Sequence, residues 1–227
     1  MCVVKKMTFY CLRDRCPRLK TLVLMCCSLK YVSLEDMPES LCHLSLRGSE
    51  LNPYNFFRSS PEQYVPHLTC LDLGGVITFL TSEDLHIFNG LKNLRCFYLE
   101  HCFRINDGGI ESMMDLISHL EVLDIEGTDI SNEGAQIILN NGTMLKELYI
   151  GFTSINDLVF DNMDLNLFLK LDHLCLKFTN IRLATIKKLQ KENGLKIEFP
   201  LENNQFFVRI ENTYLHKCNH YQSHSCP

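Results

Sequence analysis

Residues 120–128 read Leu-Glu-Val-Leu-Asp-Ile-Glu-Gly-Thr, and this short stretch carries the pattern that decides the fold. Leu120, Leu123 and Ile125 are apolar, whereas Asp124 stands between the last two and Glu126 follows them. Successive side chains of a β-strand point to opposite faces, so Leu123 and Ile125 share one face and Asp124 faces the other way. The stretch therefore predicts a short strand with one face in a core and the other open.

The same pattern, L-x-x-L-x-L-x-x-(C/T/S), recurs along most of the chain. Its first leucines are Leu19, Leu41, Leu68, Leu94, Leu120, Leu145 and Leu171. They stand 22 to 27 residues apart, and Leu195, Ile197 and Phe199 add a last strand. A recurrence at nearly constant period indicates a repeat architecture in which each unit stacks on its neighbours.

A second apolar segment follows most of the strands and has helical spacing. In residues 131–134, Ser-Asn-Glu-Gly opens a run of apolar residues at helical spacing, with Ser131 as the expected helix cap. Repeats of 20 to 29 residues built this way are leucine-rich repeats. We therefore predict an α/β leucine-rich-repeat solenoid, a curved right-handed β-α superhelix with a parallel concave sheet and convex helices. Between Leu51 and Val65 the prolines predict an irregular convex segment.

The two ends depart from the repeat pattern. Residues 1–17 are predicted to be an incomplete amino-terminal repeat or cap, and residues 18–199 the repeat domain of about seven repeats. Residues 200–227 turn polar and are predicted to form a flexible tail. The tail carries three histidines and two cysteines from His216 to Cys226, but their spacing does not match the usual zinc arrangements. We therefore predict no metal site and no cofactor.

Composition narrows the classes of function. The chain has 227 residues, 46% of them hydrophobic and 22% charged, and a formal net charge of -5. An acidic chain without a basic face argues against nucleic-acid binding. The sequence contains no phosphate-binding glycine loop, no H-E-x-x-H and no G-x-S-x-G motif, so we predict that the protein is not an enzyme.

The 12 cysteines raise the question of whether the protein resides in an oxidising or a reducing compartment of the cell. The amino terminus lacks the apolar stretch of a signal peptide, and no apolar run is long enough to span a bilayer. We therefore predict a cytoplasmic or nuclear protein with no membrane contact, in which the thiols stay reduced. Cys27 and Cys102 occupy strand-end positions of the repeat, whereas Cys70, Cys96 and Cys175 fall on the concave face.

The concave sheet is the surface that solenoids ordinarily use for binding. The residues between the buried leucines point to this face, and the sequence places Asp72, Tyr98, Asp124 and Tyr149 in one row across adjacent strands. The predicted substrate-binding residues are Arg47, Asp72, Tyr98, Glu100, Asp124, Glu126, Glu147, Tyr149 and Lys177. Tyrosines and carboxylates suit a basic or mixed-charge protein segment. A solvated sheet face without a ligand is the alternative.

Three segments carry a resemblance to a known family. They are Cys-Pro-Arg-Leu-Lys-Thr-Leu at 16–22, Ile-Asn-Asp-Gly-Gly-Ile at 105–110 and Ile-Ser-Asn-Glu-Gly at 130–134. Over residues 16–199 the sequence resembles the cysteine-containing repeats of the F-box/leucine-rich-repeat proteins. The resemblance implies the substrate receptor of an SCF (Skp1, cullin, F-box) ubiquitin ligase.

The resemblance concerns the repeats and not the F-box. An F-box begins with an apolar helix containing Leu-Pro, and this dipeptide is absent from the sequence. We therefore expect a chain that recognises a protein substrate on its concave face and that meets Skp1 and cullin only if a longer product carries an F-box. The alternative is a stand-alone leucine-rich-repeat scaffold or inhibitor unrelated to ubiquitination.

Overall fold

The structure is a computed structural model that describes residues 2–3, 12–57, 60–76, 80–161, 170–193 and 195–199. Its main element is an eight-stranded parallel sheet. In spatial order the strands are β2 (Thr21–Val23), β4 (His43–Ser45), β5 (Cys70–Asp72), β6 (Cys96–Tyr98), β7 (Val122–Asp124), β8 (Glu147–Tyr149), β9 (His173–Cys175) and β10 (Lys196–Glu198). Two short strands, β1 (Cys2–Val3) and β3 (Cys27–Ser28), pair separately.

Each strand of the main sheet pairs in parallel with the strand of the next repeat, at equivalent repeat positions. Leu44 stands opposite Leu71, which stands opposite Phe97, and Phe97 in turn faces Leu123. All four side chains are fully buried and belong to one continuous leucine core. The repeat pattern read from the sequence is therefore confirmed by the register of the strands.

The segments between strands form the opposite layer. Among the described residues, five of these segments are α-helices: α1 (Pro53–Phe57), α2 (Asp107–Ser112), α3 (Met114–Ile117), α4 (Asn132–Asn141) and α5 (Leu183–Asn193). Four are 3₁₀ helices: Leu34–Asp36, Pro61–Gln63, Ser82–Gly90 and Asp157–Phe160. The predicted convex helices are therefore α-helical in some repeats and 3₁₀ in others. The capping boxes at Ser33 and Thr81 open 3₁₀ turns there, not α-helices.

Side chains at the start of one helix form hydrogen bonds with the start of the helix in the next repeat. The predicted cap Ser131 is confirmed, since its hydroxyl accepts a hydrogen bond from the backbone N–H of Glu133. Asp107, in the first turn of α2, accepts bonds from the Ser131 N–H at 2.8 Å and the Gly134 N–H at 3.0 Å. One carboxylate thus satisfies donors that the next helix leaves unbonded.

The irregular convex segment predicted between Leu51 and Val65 is confirmed. It contains only the five residues of α1 and the 3₁₀ turn Pro61–Gln63 among those described. Phe56 and Phe57 are both buried there, and their rings meet edge to face at 4.9 Å. The aromatic contact continues to Phe88, 4.9 Å from Phe57.

A left-handed turn residue follows each strand of the main sheet except the last, β10. These residues, with φ between 53° and 70°, are Cys26, Gly48, Gly75, His101, Gly127, Phe152 and Phe178. Three are glycines, which adopt this conformation without steric cost, and four are not. The turn sends the chain from the sheet to the convex layer in every repeat.

The described residues bear on two further predictions. None of their helices has the length and apolarity that a membrane span requires. The proposed tail, including the histidines and cysteines from His216 to Cys226, lies outside the described residues. The domain boundaries at residues 17 and 199 stay predictions.

Candidate functional site

The strand register brings the predicted concave residues together. Asp72 pairs with Tyr98, Tyr98 with Asp124, and Asp124 with Tyr149, so the four form one row as expected. They lie on the face of the sheet opposite Leu71 and its equivalents, because their positions alternate with those leucines. The row crosses the four central strands of the sheet.

These side chains are buried, which the sequence did not lead us to expect. Asp72 is 1% exposed, Tyr98 2% and Asp124 0%. Val23, which holds the same position in the edge strand β2, is 51% exposed. The expectation of an open, solvated face is therefore wrong for the centre of the sheet, where side chains are close-packed and bonded to one another.

Arg47 organises the amino-terminal half of this face. Its Nε donates to Oδ2 of Asp72 at 3.0 Å and its Nη1 to Oε2 of Glu100 at 2.7 Å. Burial disfavours the charged form, but attraction to Asp72 and Glu100 outweighs it and raises the pKa of Arg47 above its ordinary value. The ion pairs hold the charges of three predicted site residues inside the protein.

Gly74 makes the reach of Arg47 possible. A Cβ at this position would lie 2.7 Å from Cζ and Nη2 of Arg47. The guanidinium therefore passes over the glycine to reach Glu100 in the second repeat along. The Asp72 carboxylate accepts two further hydrogen bonds. The Ser45 hydroxyl donates to Oδ2, and the Gly74 N–H donates to Oδ1.

In the carboxy-terminal half of the face a long side chain also passes over a glycine, but it is a glutamate that accepts a hydrogen bond from a thiol. Glu126 lies against Gly151, where a Cβ would stand 2.7 Å from its Oε1. The Cys175 thiol donates to this oxygen over 2.8 Å. Burial and the negative charge of Glu126 both raise the pKa of the Cys175 thiol, which keeps it protonated at neutral pH.

Three further predicted residues lie near this pair. The Tyr149 hydroxyl donates to Oε2 of Glu147 at 2.8 Å, and its ring centroid lies 5.0 Å from that of His173. Burial and Glu147 raise the pKa of Tyr149 well above its ordinary value. Lys177 forms a close ion pair with Glu198 on the last strand. All nine predicted residues therefore lie on one face, and their role in binding stays a prediction.

The cysteines divide largely as predicted. Cys70, Cys96 and Cys175 are free and buried on the concave face, and Cys102 is free and buried in the leucine core. Cys42, however, is disulfide-bonded. The expectation that the thiols are reduced throughout is therefore wrong at this residue.

The turn edge of the sheet carries an exposed aromatic rim that sequence reasoning missed. Phe152 and Phe178, 49% and 44% exposed, stack at 4.4 Å between ring centroids. Nearby on this edge, His101 lies 5.7 Å from the exposed ring of Phe103. Phe152, Phe178 and His101 hold left-handed turn positions that favour glycine, at about 1 kcal/mol or more each. Large side chains where other repeats have Gly48, Gly75 and Gly127 were the signal in the sequence.

The chemistry of the face suits binding more than reaction. Its charged groups are held in ion pairs and hydrogen bonds, and burial keeps the Cys175 thiol and the Tyr149 phenol protonated. Among the residues that the structure describes, no three His, Cys, Asp or Glu side chains gather as a metal site would require. The aromatic rim is exposed and offers apolar contact area.

Comparison with known proteins confirms the repeat type. A family model described as "Leucine Rich repeat" matches residues 117–138, which include strand β7. The chain is 25% identical over 152 residues to mouse F-box/LRR-repeat protein 12, and 25% identical over 129 residues to the human protein of that name. These alignments cover 66% and 57% of this chain. The resemblance to F-box/leucine-rich-repeat proteins is thus confirmed.

The chain spans less than half the length of these relatives, 46% of the mouse protein and 39% of the human one. Solved structures give the fold independently. An internalin from Listeria monocytogenes aligns with a TM-score of 0.54 at 20% identity, over 86% of this chain and 50% of its own. Internalin C2 from the same species aligns with a TM-score of 0.51 at 16% identity, over 87% and 84%. The α/β leucine-rich-repeat solenoid is therefore confirmed.

Proposed function

We propose that this chain is a non-enzymatic protein-interaction module, the substrate-recognition part of an SCF-type E3 ubiquitin ligase receptor, and that its substrate binds on the concave side. The observation that carries the proposal is its similarity to F-box/LRR-repeat protein 12 across the repeats. In this proposal the repeats select the substrate, and an F-box, where a longer product carries one, recruits Skp1 and cullin. We propose a cytoplasmic or nuclear location for this activity.

The aromatic rim of Phe152 and Phe178 is accessible on the turn edge beside the concave face. Exposed aromatic rings supply large contact areas at small entropic cost, and such residues are frequent anchors of protein interfaces. The left-handed backbone at both residues costs stability that glycine would save. A role in binding explains why the rings are there.

The experiment removes the rim and leaves the fold intact. The paired variant Phe152→Ser and Phe178→Ser is expressed with a tag in cells beside the unaltered chain, and the proteins that each recovers are quantified. The matched control is Leu158→Ser, because Leu158 is 59% exposed and lies on the convex 3₁₀ helix Asp157–Phe160. We expect the rim variant to lose a partner by tenfold or more while the control keeps it.

Two results would contradict the proposal. Equal recovery by the rim variant and the control excludes the rim as the binding surface. The second result concerns the fate of the partner when the longest gene product is expressed. If the partner is not ubiquitylated and its level does not rise on proteasome inhibition, the alternative of a stand-alone scaffold or inhibitor is favoured. Charge reversal at Asp124 is unsuitable here, because a buried lysine would unfold the sheet.

A further inference from the structure

Strand β2 forms one edge of the main sheet and pairs on one side only. Its neighbour is β4, and β2 is the terminal strand of this sheet in the part of the chain that the structure describes. The carbonyl of Lys20 and the N–H groups of Leu24 and Cys26 bond to β4 and the residue pair that follows it. Main-chain groups of successive strand residues point to opposite edges, so those of Thr21 and Val23 point away from β4.

Apolar groups are exposed beside this open edge. Val23 is 51% exposed and Met25 41%. Leu22 and Leu24, which belong to the core side of β2, are only partly buried. Ile197, the counterpart of Leu22 in the strand at the other end of the sheet, is 7% exposed. The leucine core is therefore less well covered at β2 than at β10, and a further strand beside β2 would cover it.

Basic side chains stand directly before the open edge. Residues 12–20 contain four basic residues and one acidic residue, Asp14. Arg15, Arg18 and Lys20 are exposed, and none of the three forms an ion pair with another residue that the structure describes. Positive charge at the start of β2 favours an incoming strand that carries carboxylates. The same charge disfavours a second copy of this chain, which would bring the same cations to the contact.

We propose that the open edge of β2 binds an extended segment of another protein, in which aliphatic residues alternate and the ends are acidic. The main chain of this segment bonds to the outward N–H and C=O groups of Thr21 and Val23. Its aliphatic side chains cover the partly buried leucines of β2, and its carboxylates lie near Arg18 and Lys20. In this mode of recognition main-chain hydrogen bonds supply affinity and alternate side chains supply specificity.

This site is separate from the surface of the proposed function. Phe152, in the aromatic rim, follows β8, which stands five strands along the sheet from β2, a distance of about 24 Å at the usual strand spacing. The rim variant Phe152→Ser with Phe178→Ser should therefore bind the added strand as the unaltered chain does. A failure of strand binding at β2 leaves the proposal about the concave side standing, and the reverse also holds.

The first experiment measures fluorescence anisotropy of a labelled peptide, Asp-Glu-Val-Thr-Val-Thr-Val-Glu-Asp, with the full chain. The control peptide has lysine in place of each acidic residue. We expect saturable binding of the acidic peptide and at least tenfold weaker binding of the control. Absence of saturable binding, or equal binding of the two peptides, would overturn the proposal.

The second experiment removes the outward donor of β2. Val23→Pro deletes an N–H that points away from β4, so it takes no hydrogen bond from the sheet, and proline is tolerated at such edge positions. Val23→Ala is the matched control, because it shortens the side chain and keeps the N–H. We expect Val23→Pro to weaken binding of the acidic peptide tenfold or more and Val23→Ala less than threefold. Equal losses in the two variants would overturn the proposal.

Charge reversal gives a test that does not alter the strand. Arg18→Glu with Lys20→Glu should weaken binding of the acidic peptide tenfold or more. The control is Lys187→Glu with Lys188→Glu, exposed on the convex helix α5, and it should bind as the unaltered chain does. The same loss in both double variants would mean a general effect of net charge and would count against the site.

Amide hydrogen exchange followed by NMR locates the added strand. In the free chain the Thr21 and Val23 amides should exchange at least tenfold faster than the Leu24 amide, which bonds to Ser45. The acidic peptide should slow both outward amides tenfold or more. Unchanged exchange with the peptide bound would place it elsewhere and overturn the proposal. Protection of both amides in the free chain also overturns it, and loss of that protection on dilution would assign the edge to a second copy.

Discussion

Replacement of Gly74 by alanine tests how the ion pairs of the concave face are built. The added Cβ would lie 2.7 Å from the guanidinium of Arg47, so the guanidinium has to move away. The move breaks the 2.7 Å bond to Glu100 and disturbs the 3.0 Å bond to Asp72. Hydrogen bonds to charged groups contribute about 1.5–3 kcal/mol each, so we expect a loss of about 2–4 kcal/mol in unfolding free energy.

A double-mutant cycle separates this steric cause from any other effect of the alanine. Arg47→Met alone leaves Asp72 and Glu100 without their cation and costs on the order of 3 kcal/mol or more. In that background Gly74→Ala should cost less than about 0.5 kcal/mol, because nothing remains for the Cβ to displace. The expected coupling energy is therefore about 2–3 kcal/mol.

The assay is urea unfolding followed by circular dichroism. The unaltered chain, the two single variants and the double variant are compared with a common dependence of the unfolding free energy on urea concentration. Two results would refute the reasoning. Gly74→Ala could leave stability unchanged in the unaltered chain, which would mean that Arg47 reaches Glu100 by another route. Alternatively, the loss could be the same in both backgrounds, which would place its cause in the backbone at Gly74.

Three further predictions concern stability. Gly127→Ala should lower the unfolding free energy by about 1 kcal/mol more than Gly75→Ala, because both have φ near 70° but only Gly127 has a ring nitrogen 2.6 Å from the added Cβ; equal losses in urea unfolding would contradict this. Asp107→Ala should cost about 1–2 kcal/mol by leaving helix-start donors unbonded, with Asp115→Ala, exposed on α3, as the control. Burial lowers the pKa of His173 below its unfolded value, against the opposing attraction of nearby carboxylates, so stability should fall as pH drops from 7 towards 5. His173→Gln should flatten that slope, and an unchanged slope would show that His173 is not its source.

Much of the fold could be predicted from the spacing of leucines. The pattern at Leu120, Leu123 and Ile125 fixes which face of a strand is buried, and its recurrence fixes the register with the next strand. The convex layer was less predictable. Thr81 opens a capping box and is followed by nine residues of 3₁₀ helix, since the local sequence is compatible with either helix type and packing decides between them.

The candidate site was predictable in position but not in environment. Alternation placed Tyr98 and Asp124 on the concave face correctly, because that follows from strand geometry alone. Their burial depends on how side chains from several repeats pack together on that face, which no strand pattern records. The contact of Arg47 with Glu100 could not be predicted from the sequence either. It depends on the space over Gly74, which lies in the repeat between those of Arg47 and Glu100.

Cross-linking within a complex tests most directly whether the partner binds the concave side. The full chain, bound to the partner recovered from cells, is treated with an amine-reactive cross-linker and the linked peptides are mapped. Lys177 and Lys196 lie on the concave side, whereas Lys187 and Lys188 are exposed on the convex helix α5. Links from the partner to Lys177 or Lys196 are the predicted result. Links confined to Lys187 and Lys188 would contradict the proposed binding surface.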